Sequence, residues 1–274
     1  MAAPEKPPIG PATQLCMSLA ARPGSFGSRF HNRLYERLGL DFVYKAFTTR
    51  DLPAAIGGIR ALGVRGCAIS MPFKEAVIPL LDGLAPSAAA IDSVNTIVND
   101  AGLLTGHNTD YSAVAQIRTG RSSRRAVPVA RVGRDGQAVA AALRDRGHRS
   151  GVIVARNAAS GPRLAQLYGF DWAESDRGLT APLIVNVTPL GMQGPDAEAL
   201  AFSPQAIDAA LTVFDVVALP EETPLMRAAQ AAGKRRISGA EVAVLQALEQ
   251  FVLYTGIRPD PDQLRDAATF ARAA

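Results

Sequence analysis

Apolar positions recur along this chain in two rhythms, a run rhythm and a helical one, and their alternation lays out the elements. Residues 14–18 read as a strand, residues 30–38 as a helix with Phe30, Leu34 and Leu38 on one face, and residues 42–47 as a second strand. A second helix over residues 52–62 is closed by Gly63, and residues 66–70 give a third strand. Strands alternating with helices predict βαβ units and a largely parallel sheet. A helix that begins near Tyr111 runs into a polar, basic connector at residues 119–125, after which the pattern restarts. The second series covers residues 127–237, with strands predicted at 128–132, 151–155, 183–187 and 213–217 and a helix at 137–146. The stretch 240–254 is a strong amphipathic helix with Val244, Leu248 and Phe251 on one stripe, expected to pack back against the first series. The pattern predicts an α/β protein of two domains, one formed by residues 1–115 plus 240–274 and the other by residues 116–239.

A chain of 274 residues is long enough for one large domain or two medium ones, each with its own core. With 48% apolar and 20% charged residues it reads as a soluble globular protein, and no run approaches the roughly 18–20 apolar residues of a membrane span. Residues 1–8 carry no apolar signal core, so the expected location is cytoplasmic. Cys16 and Cys67 are too few for a disulfide framework or a structural zinc site, and both sit in apolar strand-like runs as expected buried, inert thiols. His31, His107 and His148 share no metal-ligand spacing, so no metal is expected. The net charge of +4 suits anionic small molecules and plain solubility equally, and no basic stripe with interleaved aromatics points to nucleic acid.

The chemistry concentrates in residues 66–75 and 106–110. Lys74 follows Met-Pro-Phe at the end of an apolar run, Asp110 follows Asn-Thr just before a helical segment, and Asn95 lies between them in a half-buried strand pattern. A lysine and an aspartate brought together handle one proton, the minimum equipment for interconverting an alcohol and a ketone. Each also has a plainer reading, Lys74 as an ordinary helix start beside Glu75 and Asp110 as a helix cap. In the second series the strand–turn–helix at residues 132–139 is where a doubly wound, Rossmann-like domain binds a dinucleotide, and Gly133 and Gly136 permit a tight turn. Asp135 stands where a glycine would let a pyrophosphate approach, adding like-charge repulsion on the order of 1 kcal/mol when solvated. A working dinucleotide turn and a merely structural one both remain open. Arg156, at the end of the next predicted strand, favours a 2′-phosphate and hence NADP over NAD, unless it is simply solvated. Residues 186–192, Asn-Val-Thr-Pro-Leu-Gly-Met, leave a further strand end on the nucleotide-binding edge.

Over almost its whole length the chain resembles the shikimate dehydrogenase family. Ser70-Met71-Pro72-Phe73-Lys74 is similar to the family's Thr-x-Pro-(His/Phe)-Lys, and Ser93-Val94-Asn95-Thr96 to its Ala-Val-Asn-Thr. Gly-x-Asn-Thr-Asp stands intact from Gly106 to Asp110, and Asn-x-Thr-Pro-x-Gly-Met from Asn186 to Met192. Asp215 to Leu225 matches Asp-Val-Val-x-x-Pro-x-x-Thr-Pro-Leu, and Gly239 with Gln246 matches the closing helix. The resemblance implies a substrate-binding first domain, an NADP-binding second domain, and hydride transfer between shikimate and 3-dehydroshikimate, a step towards chorismate and the aromatic amino acids. It implies Lys74 and Asp110 as catalytic residues, Asn95 and Gln246 on the ring hydroxyls, and Ser25 and Ser70 at the carboxylate end. It assigns NADP to Gly133, Gly136, Gln137, Arg156, Thr188 and Gly239, and implies a monomer or homodimer whose only partners are small molecules. The departures are informative. The family's Ser-x-Ser-Pro appears as Ser25-Phe26-Gly27-Ser28, a loss of about 1.5–3 kcal/mol in carboxylate binding unless Ser28 or Arg29 substitutes. Its later Tyr-Asn is Ala218-Leu219. With these changes the chain is similar to the shikimate dehydrogenase-like subgroup. A related cyclitol acid such as quinate or aminoshikimate, or a binding protein that has lost its cofactor, remains as an alternative.

Overall fold

The computed structural model describes residues 4–116, 129–132, 137–145, 147–148 and 150–273. In chain order the first elements are β1 (Gln14–Leu19), α1 (Phe26–Leu38), β2 (Phe42–Phe47), α2 (Leu52–Ala61), β3 (Gly66–Ile69), α3 (Phe73–Ala76), β4 (Gly83–Leu84), α4 (Pro86–Ala89), β5 (Thr96–Asp100) and β6 (Leu103–His107). Then come α5 (Thr109–Gln116), β7 (Val129–Val132), α6 (Gln137–Asp145), β8 (Val152–Val154), α7 (Ser160–Tyr168), β9 (Asp171–Ala173), β10 (Leu183–Val187), α8 (Pro204–Ala209), β11 (Thr212–Asp215), α9 (Pro224–Ala231) and β12 (Arg235–Ile237). The chain closes with α10 (Gly239–Thr255) and α11 (Pro261–Arg272). Contacts divide it into two compact units, residues 1–109 with 246–274, and residues 110–245.

The first unit is built on a six-stranded sheet in the order β2-β1-β3-β5-β6-β4. The expected largely parallel sheet is instead mixed, because β5 runs antiparallel to both β3 and β6. The cause is local. Ala101-Gly102 makes a two-residue hairpin turn between the paired Asp100 and Leu103, with φ 53° and 93°, so no crossover helix separates β5 from β6. Met17, Leu19, Ile56, Ile59, Cys67, Ile69, Val94, Ile97 and Leu104 form the core on one face. The last two turns of α10 pack so closely on β3 that a Cβ on Gly66 would fall 2.1 Å from the Tyr254 ring. α11 begins at a capping box, with the Asp260 side chain accepting from Gln263 N and the Gln263 side chain accepting from Asp260 N. It is fastened to α1 by a two-pronged Arg33–Asp266 pair at 2.7 and 3.1 Å. Cys16 and Cys67 are buried and unbridged, and burial pushes the Cys16 thiol up to about 12, as expected of inert thiols.

The second unit carries a six-stranded parallel sheet in the order β12-β11-β10-β7-β8-β9. Its first strand, β7, has the next strand β8 on one side and the later β10 on the other, which is the strand-order reversal of a doubly wound nucleotide-binding fold. β10 is buried along its whole length, as a central parallel strand must be. Ile184, Phe202, Ile207, Val213, Leu225 and Met226 form the core beneath α8 and α9. No helix among the described residues is long and apolar enough to cross a membrane.

Candidate active site

In the first unit the register places the carboxyl ends of β1, β3 and β6 and the amino end of β5 at one edge of the sheet. The candidate residues of that unit gather there, tied by backbone hydrogen bonds. Ser70 N donates to Leu19 O at 3.0 Å, and Ala21 N to Met71 O at 3.1 Å, which joins the loops leaving β1 and β3. Ile69 N donates to Asn95 O at 2.7 Å, Val94 N to Lys74 O at 2.9 Å, and Asn95 N to His107 O at 3.0 Å. The short helix α3 thus sets the half-buried Lys74 beside the strand that begins at Asn95. Ser25 and Ser70 are exposed at this edge, and Ser25 stands at the start of α1 without using its hydroxyl as a cap.

Asn95 is 1% exposed and is the hub. Its Oδ1 accepts from Thr109 N at 2.7 Å, Thr96 Oγ1 at 2.8 Å and Thr109 Oγ1 at 3.1 Å, while its Nδ2 donates to Gln246 Oε1 at 3.3 Å. Gln250, one helical turn beyond Gln246, donates from Nε2 to Thr96 Oγ1 at 3.0 Å. Asn108 Nδ2 donates to Ser93 O at 2.9 Å and secures the neighbouring loop. Asp110 follows directly on Thr109 in the first turn of α5. Thr96, Thr109 and Gln250 escaped the sequence reading. The signal for Gln250 is its spacing of four from Gln246 on an otherwise apolar helix face.

Arg29, a possible stand-in for the serine absent at Gly27, is committed elsewhere. Its Nε and Nη2 donate to Phe270 O at 3.1 and 2.6 Å, and its guanidinium lies 4.3 Å from the Phe270 ring centroid. Gly27 is not demanded by packing: a Cβ there would meet the Tyr44 hydroxyl at an ordinary 3.4 Å.

Behind the edge lies His31, fully buried and stacked on Tyr44 at 4.5 Å with rings 3° apart. Among the described residues neither ring nitrogen has a hydrogen-bond partner. Burial drives the imidazole pKa down to about 3. Above pH 6.5 the ring is neutral in folded and unfolded chains alike. Between there and about 3 the unfolded chain takes up a proton that the folded one refuses, so stability falls as pH falls through that window. His31→Phe, which keeps the stack, is expected to recover about 2 kcal/mol of the stability lost between pH 7.5 and pH 5. Denaturant midpoints at the two pH values check this, and an unaltered pH slope would contradict it.

In the second unit the polar residues also collect at carboxyl strand ends. Asp215, fully buried at the end of β11, accepts from Thr223 Oγ1 at 2.6 Å, Asn186 Nδ2 at 3.0 Å and Val217 N at 3.1 Å. Burial raises its pKa, and these three donors pull it back. Thr188 donates from Oγ1 to Asn186 Oδ1 at 2.6 Å, which fixes the loop at the end of β10. Arg156 is exposed just past β8, beside the strand-order reversal. Gly239 opens α10, and a Cβ there would fall 2.3 Å from Val216 O, so packing alone demands glycine. Gln137 begins α6, whereas Gly133, Asp135 and Gly136 lie outside the described residues.

A mixed-sheet unit with a lysine-bearing polar edge, joined to a doubly wound unit, defines a two-domain dehydrogenase-like architecture. The family model for the shikimate dehydrogenase substrate binding domain matches residues 24–97. The chain is 52% identical to the shikimate dehydrogenase-like protein of Haemophilus influenzae, covering 96% of this chain and 98% of that one. The solved structure of a shikimate 5-dehydrogenase-like protein superposes with a TM-score of 0.94 at 51% identity, over 97% of this chain and 100% of that one. Shikimate 5-dehydrogenase from Thermus thermophilus, solved with NADP(H) and shikimate, gives a TM-score of 0.82 at 28% identity, over 94% and 99% of the two chains. The chain belongs to the shikimate dehydrogenase family.

Proposed function

We propose that this protein is an NADP-dependent oxidoreductase interconverting shikimate, or a closely similar cyclic polyol acid, and its 3-keto form. The observation that carries the reading is the Asn95 hub. It ties Gln246 and Thr109 to the edge where Lys74 is also held, and Asp110 is the next residue. The relatives' shared activity supports the same reading.

In this reading Asn95 and Gln246 present amide groups to the ring hydroxyls, and Ser25 and Ser70 serve the carboxylate end. Lys74 takes the hydroxyl proton as the alcohol becomes a ketone and returns it in the reverse direction, with Asp110 as its acidic counterpart. NADP, when bound, supplies the hydride acceptor. The donor set of the second unit fits it: a parallel sheet with a strand-order reversal, a cation just past β8 for a 2′-phosphate, and the fixed Thr188 loop. Titration of NADPH fluorescence tests the cofactor assignment. Saturable enhancement at micromolar protein is expected, and Arg156→Ala is expected to weaken NADPH by about tenfold while sparing NADH. Equal loss of both nucleotides would remove Arg156 from the 2′-phosphate.

The carboxylate end separates shikimate from its analogues. Gly27 has room for a side chain and Arg29 is held by α11, so the serine missing at Gly27 has no packing reason and Arg29 does not replace it. Gly27→Ser is expected to lower the KM for shikimate by about tenfold, the worth of one hydrogen bond to a charged group. An unchanged KM would mean that the favoured substrate carries no carboxylate at this place.

A further inference from the structure

We propose that Gln250 is a positioning residue that aims the Asn95 and Gln246 amides as a pair of donors, acting through the Thr96 hydroxyl. The inference rests on the assignment of Asn95 and Gln246 to the substrate. Its basis is the direction of the hydrogen bonds. Gln250 is 3% exposed, and its Nε2 donates to Thr96 Oγ1 at 3.0 Å and to Asn95 O at 3.4 Å. A hydroxyl that accepts from above has its own proton to give, and Thr96 gives it to Asn95 Oδ1 at 2.8 Å. With Thr109 N and Oγ1 on the same oxygen, Oδ1 is filled by donors and the Asn95 amide has one orientation.

The fixed Nδ2 then donates to Gln246 Oε1 at 3.3 Å, which uses the oxygen of that amide and leaves Nε2 as its donor end. Donation therefore runs one way, from Gln250 through Thr96 and Asn95 to Gln246. Each link polarises the next, in a buried setting where hydrogen bonds are strong. The result is an edge that offers N–H groups and suits ligand oxygens such as hydroxyl or ketone. Remove Gln250 and Thr96 is free to turn its proton away, so the Asn95 amide loses one of the bonds that define its orientation.

The test uses Gln250→Met, Thr96→Val and Thr96→Ser, each alone and in an Asn95→Ala background. Gln250→Met and Thr96→Val are expected to lower kcat/KM for shikimate about tenfold with NADPH affinity unchanged, and Thr96→Ser, which keeps the hydroxyl, to stay near the parent. In the Asn95→Ala background neither Gln250→Met nor Thr96→Val should lower the rate further, because the relay has lost its object. A full, additive loss there would overturn the proposal and mark Gln250 as a structural residue only. Should Gln250→Met fail to fold, the Thr96 Val/Ser contrast carries the same test. A readout without turnover separates this proposal from the assigned activity. The Asn95 side-chain amide protons, followed by NMR, should exchange about tenfold faster in Gln250→Met than in the parent, and unchanged exchange would refute the relay even where no shikimate is oxidised.

Discussion

Lys74→Ala leaves a protein that folds and binds NADPH yet oxidises shikimate about a thousandfold more slowly. The size follows from two losses at once. A positioned acid–base group contributes about 10²–10⁴ in rate, and the alkoxide that develops as hydride leaves loses its cationic donor. Folding should survive, because Lys74 serves the sheet edge through its main-chain carbonyl, which accepts from Val94 N at 2.9 Å. Lys74→Arg should not rescue the rate, since a guanidinium keeps its proton at any working pH. Steady-state rates and NADPH titrations on the same preparations decide the matter. A parallel loss of nucleotide affinity would make Lys74 a structural residue.

Gly239→Ala is expected to destabilise the protein strongly. The new Cβ would lie 2.3 Å from Val216 O and 2.4 Å from Val217 C, both backbone atoms with no side chain to turn aside. Either α10 shifts or the segment leaving β11 does, and both are fixed, the latter by Val217 N on the buried Asp215 at 3.1 Å. A cost of about 3 kcal/mol or more follows, or roughly 10 °C in Tm for a chain of this size. Gly57→Ala is the control. It sits inside α2 with nothing within 4 Å of its added Cβ, so alanine there should stabilise by about 1 kcal/mol. Equal melting temperatures for the two variants would contradict the packing account.

The parts of the fold read from sequence are those where period and punctuation agree. The strands β1, β2 and β3, the helix α2 ending before Gly63, and the buried run of β10 all carry their own signals. What sequence concealed was relational. The antiparallel pairing of β5 with β6 depends on a two-residue hairpin turn whose Ala101 sits at positive φ, a place alanine seldom marks. α11 goes unread although Asp260-Pro261-Asp262-Gln263 spells a helix start, since the residues it buries are the small apolar Ala267, Ala268 and Ala271. At the site, Lys74, Asn95, Asp110 and Gln246 stood out by motif. Thr96, Thr109 and Gln250 did not, since a residue that orients another announces itself only when distances are known. Gly239 was read as a cofactor residue, and the structure accounts for its glycine by the approach of Val216 and Val217.

The most direct test is the initial rate of NADP reduction by the purified protein with shikimate, run beside NAD and quinate controls and the Lys74→Ala variant. The account predicts NADPH formed in equal amounts with the 3-keto product, a strong preference for NADP, and a rate about a thousandfold lower for Lys74→Ala. A folded protein that binds no pyridine nucleotide, or one whose Lys74→Ala variant turns over as fast as the parent, would contradict it.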